Sequence, residues 1–355
     1  MAAYPVELDL KLSPRSRFDV IDVKERVLQE TGNIFDEYSK AFYCSFHTTA
    51  GYFEQSFCAR LDHNRENVDP LIKAFRKLFP AGADYRHDQM QFRTELTEEQ
   101  KECEPRNGDS HLIYISSGLR NCVTYNNQPE LPVYFIDLDG VYEDQVRDRR
   151  TSVLAYNSEN IVHKTRIAIP VSGHPIDSIN LKDTRCGFFE EIEYLLQKFN
   201  IQKGQVNISL ATDEKNAGLT VNEYETLLMR HDLTEVLRNP FKFMAQQGKH
   251  MLLDPRAIPS KTIDYAKYDF VQVFNELMDA FKISSSVVEK ILAKFIAYPA
   301  ERFLRLKRGI SLFVSDNNSE RTKIVHGTYQ SPVLVQWQNA ENRTRYVDVT
   351  FSEFA

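Results

Sequence analysis

The sequence predicts a mixed α and β chain built as two similar halves, and two observations carry that expectation. Runs with period-two apolar alternation are interleaved with runs of helical period, in no fixed order. A strand–helix–strand programme in residues 18–51 then recurs in residues 176–218. Its period of roughly 160 to 170 residues is too long for a solenoid and fits a duplicated domain.

In order, residues 18–23 form a strand, and a short helix passes Val27 and Leu28 to stop at Gly32. Phe42, Cys44 and Phe46 alternate with Ala41, Tyr43 and Ser45, the signature of a half-buried strand that leads into His47. Asp69 and Pro70 read as the N-cap and first residue of a helix whose stripe is Leu71, Ile72, Phe75, Leu78 and Phe79. Residues 133–138 and 151–156 are β-rich, and the charged stretch between them reads as a hairpin or meander. The first half ends near Asn157.

The second half restarts with a strand at residues 176–181. A helix follows with Phe188, Ile192, Leu195, Leu196 and Phe199 on one face, stopped near Gly204, and then a strand holds Val206, Ile208 and Leu210. After that strand the halves share an Ala-Gly step, Ala50-Gly51 and Ala217-Gly218. Between Pro240 and Pro299 two periodic stretches read as an inserted helical pair, a packing or assembly element. Strands return at residues 310–314, 332–337 and 344–351. The expected domains are 1–158 and 159–355, the second carrying the insert near 240–299.

With 355 residues and 42% hydrophobic content, the chain can bury one or two full cores. A net charge of -6 argues against a nucleic-acid binder, so the basic runs at 147–150 and 302–308 are expected to be solvated faces. No basic start precedes an apolar run, and no apolar stretch approaches the roughly 20 residues that span a bilayer. The expectation is a cytoplasmic protein with no membrane partner. Five Cys without a CxxC pair indicate neither a disulfide framework nor a zinc ribbon; Cys44 and Cys122 read as small buried hydrophobes.

Three of the nine His sit in short polar motifs: His47 in HTTAG, His87 in YRHD and His111 in NGDSHL. A lone His-Thr-Thr is more often a strand-end turn. Three such motifs on polar loops, with no obvious packing purpose, point to one site. Three neutral imidazoles, His47, His87 and His111, can hold a divalent metal, zinc or magnesium, and leave a position open, with Asp88 or Asp109 orienting a ring. Alternatively, protonated His47 and His111 with the Thr48 and Thr49 hydroxyls can hold a phosphate or diphosphate. His163, His174 and His231 lack such context and read as surface or structural.

HTTAG, the helix ending in LFP, YRHD, NGDSHL with Gly118 after it, and VYFIDLDG with RDRRTSV resemble, in that order, the YjbQ-like proteins, some of which are described as secondary thiamine-phosphate synthases. The resemblance covers most of residues 18–156. The second half is similar more weakly, through Gly218–Glu223 and the HGTYQSPVLVQW segment. The resemblance implies an α+β fold in which a β-sandwich carries a few helices, assembled as a homo-oligomer, usually a trimer. It also implies transfer chemistry on a phosphorylated small molecule with release of diphosphate. His47, Thr48, Thr49, His87, Asp88, Asn107 and His111 would carry the reaction, and Tyr85, Asp109, Asn222 and Glu223 would contact substrate.

The halves depart from the family pattern in complementary ways. The second replaces the His-Thr-Thr turn with residues 211–216 and has Arg302 where His111 would be expected. The first has Glu54-Gln55-Ser56 where the second keeps Asn222-Glu223, and it lacks a counterpart of Gly327-Thr328-Tyr329-Gln330. That complementarity predicts one composite site. Two other readings compete: a non-catalytic binding or scaffold protein with a decayed site, and a haloacid-dehalogenase-like phosphatase using Asp137 and Asp139 in VYFIDLDGV. The latter needs a parallel sheet with helical crossovers.

Overall fold

The computed structural model describes residues 4–238, 306–317 and 323–355. Its first half contains β1 (Val6–Leu12), β2 (Asp19–Asp22), β3 (Lys40–Ser45), β4 (Ala50–Tyr52), β5 (Cys122–Asn126), β6 (Tyr134–Asp137), β7 (Val141–Tyr142), β8 (Gln145–Val146) and β9 (Arg149–Tyr156). The second contains β10 (Glu159–Pro170), β11 (Asp177–Asn180), β12 (Gly204–Leu210), β13 (Ala217–Asn222), β14 (Gly309–Val314), β15 (Ile324–Val325), β16 (Ser331–Gln336) and β17 (Thr344–Phe354). The helices are α1 (Val23–Thr31), α2 (Gln55–Ala59), α3 (Arg65–Leu78), α4 (Glu98–Cys103), α5 (Gly108–Ser117), α6 (Phe188–Lys198) and α7 (Leu233–Arg238). The chain is an α+β molecule whose strands pair antiparallel.

The first half holds a four-stranded sheet, β1-β9-β3-β5, and a three-stranded one, β2-β6-β4. In the second half the orders are β10-β17-β12-β14-β15 and β11-β16-β13. The predicted 133–138 and 151–156 hairpin is not formed: β6 and β9 lie in different sheets, and only β7 and β8 pair within their connection. Glu143 and Asp144 turn that small hairpin with positive φ. Because β6 runs antiparallel to both β2 and β4, the parallel sheet required by the phosphatase reading of Asp137 and Asp139 is absent there.

The period of β3 is as read, but the strand is buried on both faces. Ala41 and Tyr43 join the first-half core, while Phe42 and Cys44 pack with Cys122, Leu154 and Tyr156 against Phe313 and Phe354 of the second half. Sheet-on-sheet burial replaced solvent on the second face. Cys44 and Cys122 lie buried with their sulfurs 3.1 Å apart, and both are free thiols. Second-half residues Leu228, Val236, Val333 and Val335 also belong to the first-half core. The second half has a further core of its own around α6, β12 and β17.

Two helix boundaries differ from expectation. Helix α3 begins at Arg65, not after Asp69, because Asn64 caps it by accepting from the Glu66 N–H at 2.9 Å; Pro70 is carried inside the helix. Helix α6 ends at Lys198, with Asn200 at φ 52° turning the chain, so Gly204 is free to open β12. Helix α1 stops as predicted, at Gly32 with φ 63°. The predicted helical pair and Arg302 lie outside the described residues. No helix among the described residues is long and apolar enough to cross a membrane.

Candidate functional site

The His-Thr-Thr turn joins β3 to β4. The Ser45 hydroxyl closes it by donating to Ala50 O at 2.7 Å. The second half then clamps the turn from outside: the Gln330 amide donates to Ser45 O and His47 O, both at 2.9 Å. Gly327 sits so close that a Cβ there would stand 1.8 Å from Phe46 O. Gly327→Ala is therefore expected to cost about 1–3 kcal/mol through backbone overpacking, read as a lower urea midpoint. A parental midpoint would show that the loop yields freely.

NGDSHL is not a polar loop but the start of α5, a helix whose ten residues are all buried. It ends at Gly118, whose φ of 88° suits a residue without Cβ. His111 thus points from a buried helix between the halves. His87 lies in the loop after α3 and is fully buried. Asp232, from a π-helical turn in the second half, holds that loop by accepting from the Arg86 and His87 N–H groups at 2.9 Å each. Burial pushes Asp232 up to about 7 against those bonds.

His87 and His111 face each other with ring centroids 5.1 Å apart. Each has its Nδ1 committed: His87 to Asp88 Oδ1 at 2.9 Å, His111 to Asn222 Oδ1 at 2.7 Å. In the neutral rings both acceptors place the proton on Nδ1, so each Nε2 carries the lone pair, and that of His87 lies 3.5 Å from Arg93 Nη1. Glu223 stands opposite, its Oε2 3.6 Å from His111 Nε2. One ligand atom from each of His87, His111 and Glu223 lies within 4.8 Å of the others.

The histidines are tuned in opposite directions. Burial pulls His87 down, but the hydrogen bond and charge of Asp88, with Glu223, outweigh it and leave its pKa raised. Burial, then the neighbouring His87, holds His111 well below its ordinary value. Burial raises Glu223 despite His87 and Arg93. Arg93, only 2% exposed, sits amid Glu95, Glu104, Glu223 and Glu225, and its Nη1 is 3.5 Å from His87 Nε2. Four carboxylates around one guanidinium make this a surrounding that favours a further cation.

His47 lies outside the group formed by His87, His111 and Glu223. His47 Nε2 accepts from the Arg150 N–H at 2.8 Å, which spends the lone pair a metal would need. Asn222 nevertheless ties the two places together, since its amide donates to Thr48 O at 3.1 Å. Thr49 is buried beside Arg149. Of the other predicted residues, Asp109 pairs with Arg17 at 2.7 Å and orients no imidazole; burial brings it up to about 6. Asn107 donates to Asp139 Oδ2 at 2.7 Å, and the Tyr85 hydroxyl donates to Pro80 O at 3.1 Å. Asp88 also accepts from Gly108 N–H at 2.9 Å, joining the His87 loop to the start of α5.

The 147–150 run is a solvated face at Asp148 and Arg150 but not at Arg149. Arg149 is 3% exposed and grips Asp137 with two bonds of 2.7 and 2.8 Å, while Arg147 meets Asp139 at 2.6 Å. In the described part of the 302–308 run, Lys307 donates to Gly118 O at 2.7 Å and Arg308 to Ala211 O at 2.7 Å. Arg93, Arg149, Glu225 and Asp232 were missed from sequence. The available signal for Arg149 was that it shares a face with Thr151 in a run where Asp148 and Arg150 take the other face.

His47 supplies a pH test. Burial, then Arg149, Arg147 and Arg150, push its pKa down to about 3. The folded value lies below an unfolded value of about 6.5, so this contribution to stability is complete above that pH and is lost as pH falls toward the folded value. Denaturant midpoints measured between pH 7 and pH 4 are expected to fall more steeply for the parent than for His47→Gln. Parallel slopes would contradict the assignment.

An open cleft of about 390 Å³ lies beside α1, lined by residues including Arg15, Asp19, Arg26 and Arg65; it contains none of the three motif histidines.

No family model matches the chain, and no curated protein matches it. Solved structures that resemble it include a YbjQ-like protein of unknown function from Sulfolobus solfataricus P2, at 17% identity and a TM-score of 0.31. That match covers 55% of this chain and 99% of the other. Another is an uncharacterized conserved protein of the YjbQ/UPF0047 family from Clostridium acetobutylicum, at 11% identity and a TM-score of 0.29, covering 53% and 98%. A hypothetical protein from Aeropyrum pernix K1 matches at 14% identity and a TM-score of 0.29, covering 53% and 97%.

Proposed function

We propose that the chain is a tandem YjbQ-like protein with domains 1–158 and 159–355, whose second copy lacks counterparts of the three motif histidines and completes the site of the first. The ordered motifs support the family, and the matching strand orders, β1-β9-β3-β5 beside β10-β17-β12-β14 and β2-β6-β4 beside β11-β16-β13, support the duplication. The proposed activity is metal-assisted chemistry on a phosphorylated small molecule. Thiamine-phosphate synthase-like transfer, with departure of diphosphate, is the reaction implied by the resemblance.

The observation that carries this reading is the group of His87, His111 and Glu223, whose ligand atoms lie within 4.8 Å of one another, with each ring held by an acceptor on its Nδ1. Two imidazoles and a carboxylate form a donor set suited to zinc, with a position left for water or substrate. Ligation at about 2.0–2.1 Å draws tetrahedral ligand atoms to roughly 3.4 Å apart, close to the 3.6 Å already separating His111 Nε2 and Glu223 Oε2. Asp88 and Asn222 are the partners that hold such ligands in one tautomer. A divalent ion there would supply Lewis acidity toward a phosphoryl oxygen. The chain's own residues hold the rings, exclude water around α5 and keep Arg93 and its carboxylates beside the group.

Metal content of the purified chain by mass spectrometry, followed by zinc titration of the chelated protein, tests this reading. One equivalent of tightly bound zinc per chain, lost in His87→Ala and His111→Ala, is expected. A chain that binds no divalent metal would overturn it and favour the scaffold reading.

A further inference from the structure

We propose that His47 and Arg149 form an oxyanion subsite beside the metal cradle, one that takes a phosphate group. The argument begins with a tautomer. The Arg150 N–H meets His47 Nε2 at 2.8 Å, a distance at which two N–H groups cannot face each other, so Nε2 bears the lone pair and Nδ1 the proton. Arg149 Nη1 is 3.4 Å from that same Nδ1. This contact therefore sets donor against donor.

Arg149 cannot turn away from it. Its Nε and Nη2 are bound by Asp137 at 2.7 and 2.8 Å, and Nη2 also donates to Asp139 O at 2.6 Å. Among the described residues, neither Arg149 Nη1 nor His47 Nδ1–H has an acceptor. Unmatched donors shielded from water are costly, and here the half-buried His47 Nδ1–H meets a guanidinium that is 3% exposed. A phosphate oxygen placed between them would accept from both and gain a charge-assisted bond. Arg147 is within electrostatic reach, since its charge helps depress His47.

The subsite adjoins the cradle through Asn222, whose side chain contacts Thr48 O on one side and His111 Nδ1 on the other. A phosphorylated substrate could then anchor at His47 and Arg149 while its reacting group meets the open metal position. Only this last step rests on the proposed function; the subsite itself stands on the donor geometry.

The test uses the full chain stripped of metal with chelator. Inorganic phosphate is titrated by calorimetry, and the imidazole nitrogens are followed by NMR. Saturable binding is expected, with the His47 Nδ1–H signal moving and Nε2 remaining unprotonated. His47→Gln, which can accept from Arg150 and still donate, should bind within a few-fold of the parent, whereas His47→Leu should lose about tenfold or more. Binding that leaves the His47 signals unmoved, or that appears only after zinc is added, would overturn the subsite. Equal affinity for acetate would overturn its assignment to phosphate. Loss of zinc binding with phosphate binding intact would sink the proposed function alone.

Discussion

Glu223→Gln is expected to leave the fold intact and weaken zinc binding by about a hundredfold or more, beyond the 10–100-fold that loss of an outer partner costs. The substitution keeps the side chain's shape and removes the charge that ligation uses. Folding should tolerate it, because Arg93 retains Glu95, Glu104 and Glu225 as partners. Burial already raises the Glu223 pKa, so the folded chain gains little from its charge in the absence of metal. Competition against a chromophoric chelator measures the affinity, and thermal melting checks the fold. Asn222→Ala should fall between parent and Glu223→Gln, since it frees the His111 ring without removing a ligand. His47→Gln should keep parental zinc affinity, because His47 Nε2 is already occupied by Arg150. Parental affinity in Glu223→Gln, or a large loss in His47→Gln, would return the metal to the three-histidine arrangement.

The contrast between His47 and Glu223 shows what was legible in the sequence. Strand periods and the Ala-Gly steps could be read, and the expectation that second-half residues contribute beside the first-half motifs is matched by the contacts of Asn222, Glu223 and Gln330 with the first half. The commitment of a lone pair could not be read, because it depends on where the backbone N–H of Arg150 comes to lie relative to a residue about a hundred positions earlier. Arg149 and Arg93 were hidden for a similar reason. A charge run looks solvated until its carboxylate partners arrive from other elements, as Asp137 does from β6 and Glu225 from the second half. The α5 helix escaped the amphipathic test because it is buried on every side and so presents no stripe.

The same limit explains β3, whose second face predicted solvent and met Phe313 and Phe354 instead. Phe354, next to the last residue, stacks on Tyr156 at 3.9 Å and meets Phe42 edge-on at 5.6 Å. Phe354→Ala is expected to destabilise the chain by about 3–5 kcal/mol, because the seam between the sheets cannot collapse onto the space left behind. Urea unfolding followed by both fluorescence and circular dichroism measures the shift. The two probes should still report one coincident transition, since Phe354 joins the halves and Leu228, Val236, Val333 and Val335 lie in the first-half core. For the same reason a 1–158 fragment should not fold alone: without those side chains its core would face water. Separate transitions, or a folded fragment, would mean that the halves are stable apart and that the composite site is assembled by docking.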